Sequence, residues 1–165
     1  MKNTLLRFHE QLGVVSKWLN WAAGATLVLM LLLVNPNVVL RPLGLPIWGT
    51  YEIVGLMGSV VLSFALVQAT YKRGHMAVEI LINRFSPRVR SILSVFNSLA
   101  GFVIMSLVAW QSARFATRVV RTGEVSATLK LPFYPFLYAI AAAFGIAAII
   151  VLVDFLTSSF RDGEK

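Results

Sequence analysis

Polar and apolar positions along this chain are sorted into blocks long enough to define its elements. Four stretches, residues 18–34, 47–71, 91–113 and 131–153, are almost free of charge, and the segments between them have ordinary polarity. A helix needs about 20 apolar residues to cross about 30 Å of hydrocarbon. The last three stretches meet that length directly. The first has 17 residues and reaches it by continuing through Asn35 and Pro36 into Val38, Val39 and Leu40, with a kink or partial unwinding at the proline. Backbone groups freed there need partners from protein or water, so this end is expected to pack against protein. The pattern predicts an all-α polytopic membrane protein, a single membrane domain over residues 1–165, with four transmembrane helices at about 18–40, 47–71, 91–113 and 131–153.

Two flanking segments have an amphipathic pattern. Leu5, Phe8, Leu12, Val15 and Leu19 step by three and four, while Arg7, Glu10, Gln11 and Lys17 lie off that stripe. Ala77, Ile80, Leu81 and Phe85 do the same opposite Glu79 and Asn83. Both patterns predict helices lying in the membrane interface, at about 4–17 and 76–85. Ser86 and Pro87 then offer an N-cap and a proline at the first helical position for the third span.

The charges agree with this division. Of 22 charged side chains, 15 basic and 7 acidic, only Glu52 falls inside the four apolar stretches. That segregation excludes a soluble globular domain. In a soluble protein a net charge of +8 would suggest nucleic acid. Here the basic residues flank spans, where they contact lipid and set topology, so no nucleic-acid partner is expected. Lys2, Arg7, Lys17, Lys72, Arg73, Arg84, Arg88, Arg90, Arg161 and Lys165 fall on one side; Arg41, Arg114, Arg118, Arg121 and Lys130 fall on the other. The richer side is expected to be cytoplasmic and carries both termini. Trp18, Trp21, Tyr71 and Phe155 mark the inner interface, and Trp48, Tyr51, Trp110, Tyr134 and Tyr138 the outer. The chain has no cysteine, which excludes disulfides, thiolate metal sites and covalent haem attachment. The first stretch ends at Asn35-Pro36-Asn37 rather than at a small-residue cleavage site, and is expected to remain as a span.

Few residues suggest chemistry. A carboxylate inside a span, as at Glu52, either pairs with an Arg or a backbone donor to fix a helix interface, or handles an ion or substrate. It lies about one turn inside the outer end of its span, shallow for a proton-coupled exporter. His9 and His75 both lie outside the spans, so haem ligation within them is not expected. His75 suits a capping or loop-ordering hydrogen bond, and Asp154 is placed to pair with a central-loop arginine. Gly55, Ser59 and Ser63 form a small-residue stripe for helix packing, as do Ala141 with Gly145 and Ala143 with Ala147. Arg114, Arg118 and Arg121 continue the third span at helical spacing up to a stop at Gly123, projecting roughly 12 Å. They suit either the phosphates of outer-leaflet lipid headgroups or docking of an acidic external protein. No nucleophile–base set, zincin motif or phosphate-binding glycine loop is present, so no catalytic, substrate-binding or metal-ligating residue is assigned and no enzyme is expected. Nor is there an internal repeat that would support a transporter built within this one chain.

Three patches resemble a known family, the small membrane subunit (DctQ-like) of tripartite ATP-independent periplasmic, or TRAP, transporters. They are the Pro46, Trp48 and Glu52 element opening span two, the Gly74-His75-Met76-Ala77-Val78-Glu79 run, and the segment from Gly123, Glu124 and Ser126 to Pro132 that enters span four. The family often has Asp where this chain has Glu79. The resemblance implies a multi-pass protein of the bacterial inner membrane. It also implies a scaffold role beside a large permease subunit, with a periplasmic substrate-binding protein as transient partner. Uptake of a small organic anion would be driven by sodium, with the sodium and substrate sites in the permease and no cofactor in this chain. Two other readings stay open: a stand-alone small proton-coupled exporter using Glu52, and a membrane-shaping or assembly factor without transport.

Overall fold

In hydrocarbon a backbone must satisfy its own hydrogen bonds, and long helices do so without help from water. The computed structural model describes residues 2–72 and 87–162 and contains four of them. They are α1 (Lys2–Leu40), α2 (Thr50–Tyr71), α3 (Pro87–Thr122) and α4 (Tyr134–Asp162). Each is long and apolar enough to cross a membrane. The predicted helix at 76–85 lies outside the described residues.

The separate interfacial helix expected at 4–17 is not present as such. Residues Lys2–Leu40 form one 39-residue helix. The helix runs without a break from Lys17 into Trp18, and part of the stripe packs on protein. Leu12 is buried in the core and Leu19 packs against it, although Val15 is exposed. At its far end α1 continues unbroken through Pro36 to Leu40, and the tightening comes later, in a 3-10 turn at Arg41–Leu43 closed by Gly44. Helix α3 begins at Pro87, as the sequence predicts, and runs through the arginine stripe to Thr122. Gly123, at φ 69°, ends it with its N–H on the Val119 carbonyl at 3.0 Å.

The helices pack as an open layer in the order α1, α2, α4, α3, with only slight contact between α1 and α4. Helix α4 therefore joins the two halves. Its Ala143, Ala147, Ile150 and Val153 meet Leu12 of α1 and Val67 of α2, with Met105 of α3 at the edge. The alanines let backbones approach closely, the usual device where lipid removes the hydrophobic drive for helices to associate. Gly13 does the same between α1 and α2, since a Cβ there would overlap the Tyr71 ring. One turn on, the buried Ser16 hydroxyl donates to Gln68 Oε1 at 2.5 Å, so two polar groups in an apolar seam satisfy each other.

Gly13→Val should displace the Tyr71 ring from its place between α1 and α2 and destabilise the detergent-solubilised protein by about 1–3 kcal/mol, read as a lower Tm. An unchanged or higher Tm would contradict the close approach.

Candidate functional site

The polar residues gather where α2 begins. The chain leaves α1, turns at 41–46, and is caught by Asn37, whose Oδ1 accepts the Ile47 N–H at 2.8 Å. Gly49, at φ 76°, occupies the N-cap position of α2, a conformation that costs an L side chain but not glycine. The Thr50 hydroxyl donates back to the Ile47 carbonyl at 2.8 Å, and Arg41 Nη1 donates to the Tyr51 hydroxyl at 2.8 Å. Glu52 is thereby fixed in the first turn of α2, where the helix dipole favours a carboxylate.

Glu52 reaches the connection between α3 and α4. Its Oε1 accepts the Thr128 N–H at 2.8 Å and its Oε2 the Leu129 N–H at 3.2 Å. Leu129 sits over Gly49, where a Cβ would collide with its side chain. The loop is shaped to offer these amides. Ser126, 2% exposed, donates its N–H to the Leu131 carbonyl at 2.9 Å, and its hydroxyl accepts the Leu131 N–H at 3.2 Å. The Lys130 N–H closes the turn on the Ser126 carbonyl at 3.2 Å with Lys130 at φ 53°, and Val125 bridges Pro132. Of the two structural options for Glu52, an arginine or backbone donors, the structure has backbone donors.

Two sequence patches far apart in the chain, 46–52 and 123–132, thus meet in one clasp. Glu52 and Ser126 act in it directly, Pro132 forms its bridge, and Gly123 ends α3 ahead of it. Pro46, Trp48 and Glu124 are exposed, Trp48 at 78%. Gly74, His75 and Glu79 lie outside the described residues. The Gly55, Ser59 and Ser63 stripe divides: Ser63 is buried, while Gly55 is exposed with open space around it. Arg114, Arg118 and Arg121 do form a helical stripe, but not on a free projection. Ala116 and Val119 behind them are buried, and the Thr117 hydroxyl lies 3.3 Å from that of Tyr138 on α4.

At the opposite end of the layer a second polar tie joins three helices. His9 Nε2 of α1 lies 3.0 Å from Asp154 Oδ1 of α4, and the His9 ring centroid is 5.0 Å from that of Tyr71 on α2. Asp154 meets His9 because α1 extends past the level of Tyr71; the pairing predicted for Asp154 with a central-loop arginine falls on Arg73 and Arg84, which lie outside the described residues. Asn37, Gly49, Thr50, His9 and the Ser16–Gln68 pair were not singled out from the sequence. For His9 and Ser16 the signal was nonetheless there, since both fall on the helical spacing of Leu12 and Leu19.

The geometry defines a small multi-pass membrane protein in which the Glu52 carboxylate, in the first turn of α2, is engaged by the chain's own backbone. Among the described residues no cluster of three or more His, Cys, Asp or Glu is present. Residues 30–161 match the family model described as tripartite ATP-independent periplasmic transporters, DctQ component, and the chain belongs to that family. The family is a transporter component rather than an enzyme family, and works with a large permease and a binding protein. Comparison with curated proteins and with solved structures finds no match.

Glu52→Ala leaves the Thr128 and Leu129 amides without acceptors and should speed their hydrogen exchange on the order of tenfold or more. Glu52→Gln, which keeps one carbonyl, should lie between. Unchanged exchange at both amides would mean that Glu52 does not hold the loop.

Proposed function

We propose that this chain is the small scaffold subunit of a sodium-driven transporter that imports a small organic anion. In this reading it sits in the bacterial inner membrane with both termini cytoplasmic. A large permease subunit carries the sodium and substrate sites, and a soluble periplasmic protein delivers the solute. The family match over residues 30–161 carries the reading. Two features of the chain support it. The single layer leaves broad apolar faces uncovered, including Leu27, Leu31 and Val38 on α1 and Phe96 and Leu99 on α3. On α1, exposed Asn35 opens with Leu32, Pro36, Val39 and Leu40 onto a 450 Å³ apolar groove, where an amide facing lipid calls for a protein partner.

The exporter reading requires Glu52 to release and rebind a proton. Both of its oxygens accept loop amides, so each protonation would turn one of them into a hydroxyl and open the clasp. No cofactor is assigned to this chain, and its charge serves its own fold.

The chain should co-purify with a large permease in mild detergent, and its deletion should abolish uptake of one defined solute. Glu52→Ala should lower the yield of complex. Proton-linked efflux by the isolated chain, lost in Glu52→Gln, would instead support the exporter.

A further inference from the structure

Helix α3 carries two chemistries in one line. Val103, Leu107 and Trp110 are exposed, and Arg114, Arg118 and Arg121, also exposed, continue at steps of three and four, the spacing of a single helix face. Buried Ala116 and Val119 occupy the opposite side. The three arginines and Thr117 line a 310 Å³ groove. The Arg114 guanidinium lies 5.0 Å from the Trp110 ring centroid, which holds it at the junction of the two halves of the line. Among the described residues no carboxylate lies within ion-pair distance of these arginines.

The dimensions fit one lipid. Val103 to Arg114 covers about 16 Å of helix, half of a hydrocarbon core about 30 Å thick. Arg114 and Arg118 then cover roughly the next 6 Å, the depth of the headgroup zone, with Arg121 at its rim. Guanidinium groups are planar forks that suit phosphate oxygens. We propose that this face binds one anionic glycerophospholipid of the leaflet on the side of the α3–α4 connection. Its phosphate lies in the arginine groove and its acyl chains along Val103 and Leu107. Apolar residues running straight into the arginines favour an amphiphile over an acidic protein, which would reach only the outer arginines.

The test presents the full-length chain in mild detergent with phosphatidylglycerol, phosphatidylcholine or inorganic phosphate, and reads retained ligand by native mass spectrometry. Phosphatidylglycerol should be retained over phosphatidylcholine on the order of tenfold or more. The Arg114→Gln, Arg118→Gln, Arg121→Gln triple variant should lose that preference with its helix content intact. Arg118→Gln alone, a single exposed change, should reduce it. Leu107→Gln should weaken retention of the long-chain lipid while sparing a short-chain phosphatidylglycerol. Equal retention by wild type and the arginine variants would overturn the site. Displacement of the lipid by millimolar inorganic phosphate that is itself retained would show a free-phosphate site and overturn the lipid. Unchanged lipid retention with loss of binding to an acidic soluble protein would reassign the face to protein docking.

Discussion

Two hydrogen bonds, from the Thr128 and Leu129 amides to Glu52, couple the halves of this chain at one rim of the membrane. Helices α1 and α2 form one half, and α3 and α4 the other. Their common seam is narrow, built from Leu12, Val67 and the alanine face of α4. Such a seam gains little from apolar burial when the surroundings are themselves apolar. Directional polar contacts therefore carry the register. Glu52 supplies them at one end, and His9 with Asp154 at the other. The layer is pinned at both rims and packed by small residues between.

This arrangement explains why a chain so poor in charge keeps a carboxylate in a span. An unpaired charge there is costly. Paired with two backbone amides and placed in the first turn of a helix, it becomes a strut. Gly49 and Ser126 serve the same end, one by admitting Leu129 and the other by folding the loop so that its amides face α2. A single layer held this way keeps its shape while presenting wide apolar faces, which suits a part that another membrane protein leans on.

Much of the fold was legible in the sequence because lipid imposes length and polarity on each span. The four stretches, the start at Pro87 and the stop at Gly123 all follow from local rules. The N-terminal segment did not, because an amphipathic stripe looks the same whether it meets headgroups or helices. Leu12 and Leu19 find α2 and α4, and that is a tertiary fact. The clasp was half legible. Glu52 stood out as the lone charge within the spans, and the backbone-donor option was open from the start. Its partners are main-chain amides 76 and 77 residues away, which no side-chain pattern announces. The His9–Asp154 tie was missed for a different reason: it joins two side chains, and their meeting depends on how far α1 extends past α2.

Because the chain contains no cysteine, spin labels can be placed at will. The most direct test of the proposed rigid scaffold puts them at Leu45 and Glu124, both exposed and near the clasp. Their separation is then measured by pulsed electron resonance in the reconstituted complex with its permease, with and without sodium and solute. A fixed clasp predicts one narrow distance that does not change through the transport cycle. A second population or a shifted distance on adding sodium and solute would show that Glu52 lets go, and would contradict it.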